Sequence, residues 1–459
     1  MKTMKRLLAC LLVLAMCCAL SACKKDETPT ATATDAPAAP TGNPDDVMIT
    51  VGNDTVTRAA YEECMNTLVN FYANYGYDTS DAQMMTMLQE VALRTALEYA
   101  VMDQKIAELG LALTEDEKNA AIADAKTQWE STIADGLAYY GITEESTEEE
   151  RNNTTLQVLA ELEGMGYTAE SYEAEAVKNA AYDKLYDVVT KDVTVSDEDV
   201  KAYYDNLVET DKEKFEGNVP AYEQAQYMNT LYAMYGMADY ITELYYKPAG
   251  YRLVTHILLE VDEELLNAYT DLQATYEEQQ NTIEEGGEVT ETLVTAEEIE
   301  NARLAILNSV QPKVDEINQK LSEGKTFAEL IPEYTSDPGM QDEAAIAKGY
   351  EVHMDSTNWV VPFRDQAFTV NEIGAVTAPV VTDYGVHIIQ YVADVPSGPV
   401  ELTDELRASF QATLLDNSQK AAFYAAIDEW LAAVTPVYSA EAQAILDAAA
   451  AQAQEETAE

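Results

Sequence analysis

Three histidines, His256, His353 and His387, are the chain's whole supply of imidazoles. Imidazole is the side chain whose charge changes most readily near neutral pH. Two of them sit in matching apolar runs, Val254-Thr255-His256-Ile257-Leu258 and Gly385-Val386-His387-Ile388-Ile389. An imidazole in the middle of a buried strand needs partners for both ring nitrogens. If the two strands lie side by side, each ring can meet the other or a nearby hydroxyl. Residue chemistry alone admits two readings, a satisfied core pair or a pair that acts on a bound molecule. His353, followed by Met354 in a loop pattern, reads as a partly exposed histidine. No group of His, Cys and carboxylates shows metal-ligand spacing, and Ser336 has no histidine near it in sequence. Neither a metal nor any other cofactor is expected.

The elements that must hold these residues follow from periodicity. Leu253, Thr255, Ile257 and Leu259 alternate with Arg252, Val254, His256 and Leu258, so this strand is apolar on nearly both faces and reads as central. Before it, residues 48–249 are mostly helical. Met48–Val51 and Thr55–Thr57 flank a hairpin signal at Gly52-Asn53-Asp54. Leu93, Leu97, Val101, Met102, Ile106 and Leu109 then recur at helical spacing. Thr114 with Glu117 and Ser196 with Asp199 are capping boxes that start helices. Cys64, beside Met65 and Leu68, reads as a buried thiol. A Tyr/Met-rich run from Tyr227 to Leu244 reads as a helix or helix pair. Its spacing suits a packed core, and its adaptable side chains equally suit loose contact with unfolded chains. After the central strand, Leu265, Tyr269, Leu272 and Tyr276 form one stripe and Ile299, Ile306, Val310, Ile317 and Leu321 another. They predict a helical hairpin arm around Gly286-Gly287. Short strands follow to Val392. Two helical segments come next, at Leu406–Leu415 and Ala421–Val434, with a fraying tail from about Ala448.

Of the 459 residues 47% are hydrophobic, enough for substantial cores, and the net charge is −56. Nucleic acid is thereby excluded as a partner, because phosphates would be repelled, and electrostatic docking on anionic lipid is disfavoured. The first residues predict export. Lys2, Lys5 and Arg6 precede an apolar stretch, Leu7 to Leu20, too short to span a bilayer comfortably. It ends in Leu20-Ser21-Ala22-Cys23, which resembles the bacterial lipobox. That resemblance implies cleavage before Cys23, a lipid on its sulfur, and a location on the extracytoplasmic face of the cell membrane. With Cys10, Cys17 and Cys18 removed and Cys23 acylated, Cys64 alone remains, so no internal disulfide is expected.

The segment from Tyr251 to Val392 resembles the parvulin family of peptidyl-prolyl isomerases. Six ordered blocks carry the likeness. They are Thr255-His256-Ile257-Leu258-Leu259, Glu323-Gly324-Lys325-Thr326-Phe327-Ala328-Glu329-Leu330, Thr335-Ser336-Asp337-Pro338, Val361–Phe368, Gly374–Val380 and Thr382–Ile389. The whole plan resembles PrsA-type foldase lipoproteins and SurA. That likeness implies an α+β fold, a mostly helical chaperone region carrying an inserted parvulin-like domain. The expected divisions are a signal peptide at 1–22, Cys23 and a linker at 23–47, and a helical N-terminal domain at 48–249. The isomerase domain follows at 250–395, with a helical insertion at about 262–300. C-terminal helices at 396–459 pack back on the N-terminal domain. Carried over by position, His256 and His387 form the buried pair, and Asp337 is the acidic residue beside the substrate carbonyl. Phe363 and Phe368 wall the proline slot, Trp359 stands where the family has methionine, and Tyr384 neighbours the second histidine. The implied partners are unfolded or newly exported proteins with X–Pro bonds, and the implied activity is isomerase and chaperone work at the membrane's outer face. The family's paired glycines are reduced here to Lys348-Gly349-Tyr350. With the bulk of Trp359, that keeps a second reading in view, a catalytically weak fold that only binds clients.

Overall fold

The computed structural model describes residues 42–456. The expected signal peptide, Cys23 and most of the linker therefore lie outside the described residues. Two compact units divide the chain, one holding the residues before Ser196 and after Phe410, the other Ser196–Phe410.

In the first unit, β1 (Val47–Val51) and β2 (Asp54–Thr57) pair antiparallel across the expected turn. Thr57 caps α1 (Arg58–Asn74), its hydroxyl accepting from the Ala60 N–H. The long helix α2 (Ala82–Glu108) buries Leu88, Ala92, Leu93, Ala96, Leu97 and Val101 against β1, β2 and α1, with Cys64 in the same core. Three more helices follow, α3 (Glu115–Tyr139), α4 (Glu148–Gly164) and α5 (Ala169–Thr190). The capping box at Thr114 and Glu117 opens α3 as the sequence requires.

The second unit begins with α6 (Asp197–Phe215), capped by Ser196 and Asp199, and α7 (Val219–Met234). Next come β3 (Tyr246–Lys247) and β4 (Arg252–Leu259), then the arm, α8 (Glu263–Glu284) and α9 (Ala296–Ser322). After them run α10 (Phe327–Tyr334), α11 (Glu343–Lys348), β5 (Tyr350–Val352), α12 (Val361–Ala367), β6 (Val380–Thr382), β7 (Gly385–Asp394) and β8 (Gly398–Pro399). The main sheet has the order β5-β4-β7-β6, so β4 is central and both its faces must be covered. One face carries Ile257, Leu259, Val386 and Ile388 and packs on Ile306, Val310, Ile317, Phe327 and Leu330 from α9 and α10. The other carries Val254 and Ile389 and lies under Phe363 and Ala367 of α12. Residues 196–249, grouped by sequence pattern with the helices before them, belong to this unit because Phe215, Val219 and Tyr222 share a core with Tyr251.

The chain leaves through α13 (Asp404–Ala433), pairs β9 (Val437–Tyr438) with β1 and ends in α14 (Ala440–Glu456). Three sequence expectations are corrected here. The two C-terminal segments are one helix, continuous across residues 416–420, where an Asp416–Lys420 ion pair of 2.8 Å lies four residues apart and no Gly or Pro intervenes. The expected fraying tail is helical to Glu456, because Ala442, Ile445 and Leu446 pack on the core around α2. A third concerns Tyr227–Leu244: α7 stops at Met234, and most of the remainder is exposed turn rather than core. No helix among the described residues is long and apolar enough to cross a membrane.

Candidate active site

Antiparallel pairing of β4 with β7 sets His256 opposite Ile389 and Leu258 opposite His387. The two histidines are therefore diagonal neighbours on one face of the sheet, within reach of each other. Their Nδ1 atoms are 2.9 Å apart, both side chains are buried, and the rings lie nearly parallel, 5.0 Å between centroids. At one end His256 Nε2 is 2.7 Å from Asp337 Oδ2. At the other, His387 Nε2 is 2.8 Å from Thr382 Oγ1. The result is a four-member chain, Asp337–His256–His387–Thr382.

Asp337 is fixed from several sides. The Tyr350 hydroxyl donates to Oδ2 (2.9 Å), the Gly339 N–H to Oδ1 (2.9 Å), and the Thr335 hydroxyl accepts from the Asp337 N–H (3.2 Å). The His256 contact, followed by the Gly339 and Tyr350 bonds, holds this carboxyl below its usual range against the opposing effect of burial. An ionised carboxylate only accepts, so His256 Nε2 carries a proton. Burial, then the neighbouring His256, push His387 down to about 3, only partly offset by Asp337. With His387 neutral, one of its ring nitrogens donates and the other accepts, so its contacts to His256 Nδ1 and Thr382 Oγ1 satisfy both. Burial and the Asp337 charge raise Tyr350 to about 12.

Over this polar chain stands an aromatic wall. Phe363, from α12, meets both imidazoles edge-on at 5.2 and 5.1 Å and is itself buried. Trp359 stacks on Phe363 at 5.4 Å and on Tyr350 at 5.0 Å, its indole N–H donating to the Glu351 carbonyl. Gly339 is required by this packing, since a Cβ there would sit 1.9 Å from the Tyr350 hydroxyl. Of the residues singled out by sequence, His256, His387, Asp337, Trp359 and Phe363 come together. Phe368 packs against the same cluster of Phe363, Ala367 and Ile389, with its ring 4.4 Å from the Arg252 guanidinium, which also stacks on Tyr391. Tyr384 sits in the β6–β7 turn with its side chain exposed. His353 is fixed apart from the site, Nε2 donating to the Ala249 carbonyl and Nδ1 accepting from the Asp355 N–H. Sequence reasoning did not single out Tyr350 and Thr382 as site residues. Among the described residues no cluster of three or more His, Cys, Asp or Glu could hold a metal.

A pH dependence follows. The folded His387 titrates near 3, below the 6.5 of a free imidazole, so between these values the unfolded chain binds a proton that the folded one refuses. Asp337, also depressed, works in the same direction at lower pH. Both contributions are complete at neutral pH and are lost on acidification. Urea midpoints for the second unit should fall from about pH 6.5 downward, with His387 contributing up to about 1.4 kcal/mol per pH unit. His387→Leu should flatten that slope by up to one proton, and an unaltered slope would contradict a neutral His387.

Residues 289–394 match the family model of the PPIC-type PPIASE domain. The second unit thus contains a parvulin-type domain. The matched span begins after β4, from which α8 separates it, and so does not reach His256. The chain is similar to the Foldase protein PrsA of Oceanobacillus iheyensis, 26% identical over 243 residues, which is 52% of this chain and 68% of that protein. It is also similar to Foldase protein PrsA 2 of Listeria monocytogenes, 36% identical over 86 residues (18% of this chain, 28% of that one), and to Foldase protein PrsA of Clostridium botulinum, 26% over 125 (27% and 36%). The matches thus span about a third of the length of these last two relatives. Among solved structures, a SurA-like chaperone from Campylobacter jejuni matches at TM-score 0.27 and 16% identity, covering 68% of this chain and 95% of that one. PrsA from Bacillus subtilis matches at TM-score 0.18 and 14% identity, covering 85% and 93%.

Proposed function

We propose that the second unit is a peptidyl-prolyl cis-trans isomerase and that the whole protein is an extracytoplasmic foldase for unfolded or newly exported chains. The observation that carries this reading is the closed hydrogen-bonded chain Asp337–His256–His387–Thr382 beneath the Trp359–Phe363 wall. The family match and the similarity to PrsA foldases support it. Rotation about an X–Pro bond needs no covalent step. Amide resonance sets a barrier of about 18–20 kcal/mol, lowered when the site favours the twisted, less conjugated amide. A thousandfold acceleration needs about 4 kcal/mol of that preference. Trp359 and Tyr350 offer aromatic faces that strip water from a prolyl ring. Asp337 and the Tyr350 hydroxyl form a rigid polar edge beside them, oriented in advance of binding because every partner is already bonded. The two histidines act as positioning residues that hold Asp337 in place. Export and a lipid on Cys23 rest on the Leu20-Ser21-Ala22-Cys23 quartet and belong to the same proposal.

The full chain should speed cis-to-trans conversion of a short X–Pro reporter peptide. Asp337→Ala should lower kcat/KM about ten- to hundredfold, since it strands the charge-assisted donor on His256 and the Tyr350 hydroxyl. The rival, a fold that only binds clients, draws on the packing of Trp359 against both Tyr350 and Phe363. If wild type matches the uncatalysed rate while Trp359→Met gains activity, the rival stands. If neither accelerates the reporter, the isomerase reading is lost.

A further inference from the structure

The Tyr/Met-rich segment after Gln224 forms a built, exposed ridge. Tyr227, Met234, Tyr235 and Tyr240 are 63%, 71%, 70% and 62% exposed, with Met237 and Ile241 beside them at 40% each. The turn that presents them is well fastened. Asn229 clamps the returning strand, Nδ2 donating to the Thr242 carbonyl (2.6 Å) and Oδ1 accepting from the Thr242 N–H (2.9 Å). Met237 N–H bonds the Tyr232 carbonyl (2.8 Å), and the Tyr232 and Tyr240 rings pack at 5.6 Å. Leaving six large apolar side chains in water on a fastened turn is a cost that folding alone does not explain.

Charge identifies the occupant. Between Gln224 and Thr242 the sole charged residue is Asp239, in a chain that is 24% charged and carries −56 overall. The ridge is therefore a neutral island on an acidic molecule. A second copy would bring another −56, and anionic lipid would be repelled likewise. An uncharged or cationic apolar segment is instead drawn in and buried. Tyr and Met supply adaptable contact without a fixed shape, which suits an extended chain of varied sequence. The ridge is also tied to the candidate site. At the base of α7, buried Glu223 accepts from Ser356 Oγ (2.9 Å), Tyr251 OH (3.2 Å) and Thr357 N–H (3.3 Å), just before Trp359 in sequence. From Glu223 to Met234 a helix advances about 16 Å, the length of roughly five extended residues.

We propose that this ridge docks an extended apolar stretch of an unfolded client, holding a nearby X–Pro bond at high local concentration for the isomerase site. The proposal rests on the isomerase reading and adds a binding site to it. Its test uses the full chain and two acid-free 30-residue peptides. One has a Leu/Phe/Tyr cluster six to ten residues from a single X–Pro bond; the other has the cluster replaced by Ser and Gly. Wild type should show a KM about tenfold or more lower for the cluster peptide. The triple variant Tyr227→Ser, Tyr235→Ser, Tyr240→Ser should erase that difference while leaving kcat and the rate on a short reporter unchanged. Equal KM values in wild type, or a difference that survives in the triple variant, would overturn it. Fluorescence anisotropy of the labelled cluster peptide gives an arm that needs no turnover. Binding weakened about tenfold in the triple variant supports the ridge even if the isomerase reading fails. Sedimentation showing a dimer that the triple variant abolishes, with no peptide bound, would assign the face to a second copy and defeat the proposal.

Discussion

Phe363→Ala should destabilise the second unit by about 3–5 kcal/mol, the usual range for deleting a fully buried aromatic ring. Phe363 is 2% exposed and touches His256, His387 and Trp359 at once. Its removal leaves a void against the sheet and also opens the imidazole pair to water. Water beside His387 relieves the burial that keeps it neutral, so acid sensitivity should shift along with stability. Urea denaturation followed by Trp fluorescence, repeated at pH 7 and pH 5, measures both. A loss under about 1 kcal/mol would mean that the ring is not the keystone of this face.

Gly385→Ala should be comparably severe, costing about 3 kcal/mol or more. Gly385 opens β7 at φ 133°, a conformation that side chains with a Cβ rarely adopt, and the added atom would lie 2.6 Å from the Leu259 carbonyl oxygen. That obstacle is backbone in the neighbouring strand, so relief requires β4 and β7 to separate where Leu258 pairs with His387. The expected signature is double: a lower urea midpoint, and a His387 that regains a more ordinary titration by NMR. An alanine variant with the stability and imidazole titration of wild type would show that this corner can flex.

Much of this was legible in the sequence. The two histidines stood out as two of only three in the chain, set in matching apolar runs, and could meet provided that their strands lay side by side. Asp337 came with the Thr335-Ser336-Asp337-Pro338 block, and Phe363 was carried over by position from the Val361–Phe368 block of the parvulin resemblance. Tyr350 was seen only as a departure from a glycine pair, because its part depends on a neighbour, Gly339, whose missing side chain makes room for the hydroxyl. Thr382 lay in plain view within a quoted block, yet only the tight β6–β7 turn, pairing Thr382 with Gly385, swings its hydroxyl toward His387. The exposed ridge defeated periodicity altogether: apolar residues at helical spacing imply a buried stripe only when something covers them.

The two imidazoles are 131 positions apart, with the helical arm and everything after it lying between their strands. Pairing at such separation is slow to form and late in any folding sequence. A chain still emerging, with β7 not yet delivered, has β4 but no partner for it and no floor beneath the aromatic wall. Competence therefore arrives all at once, when β7 docks beside β4 and brings the second imidazole to the first.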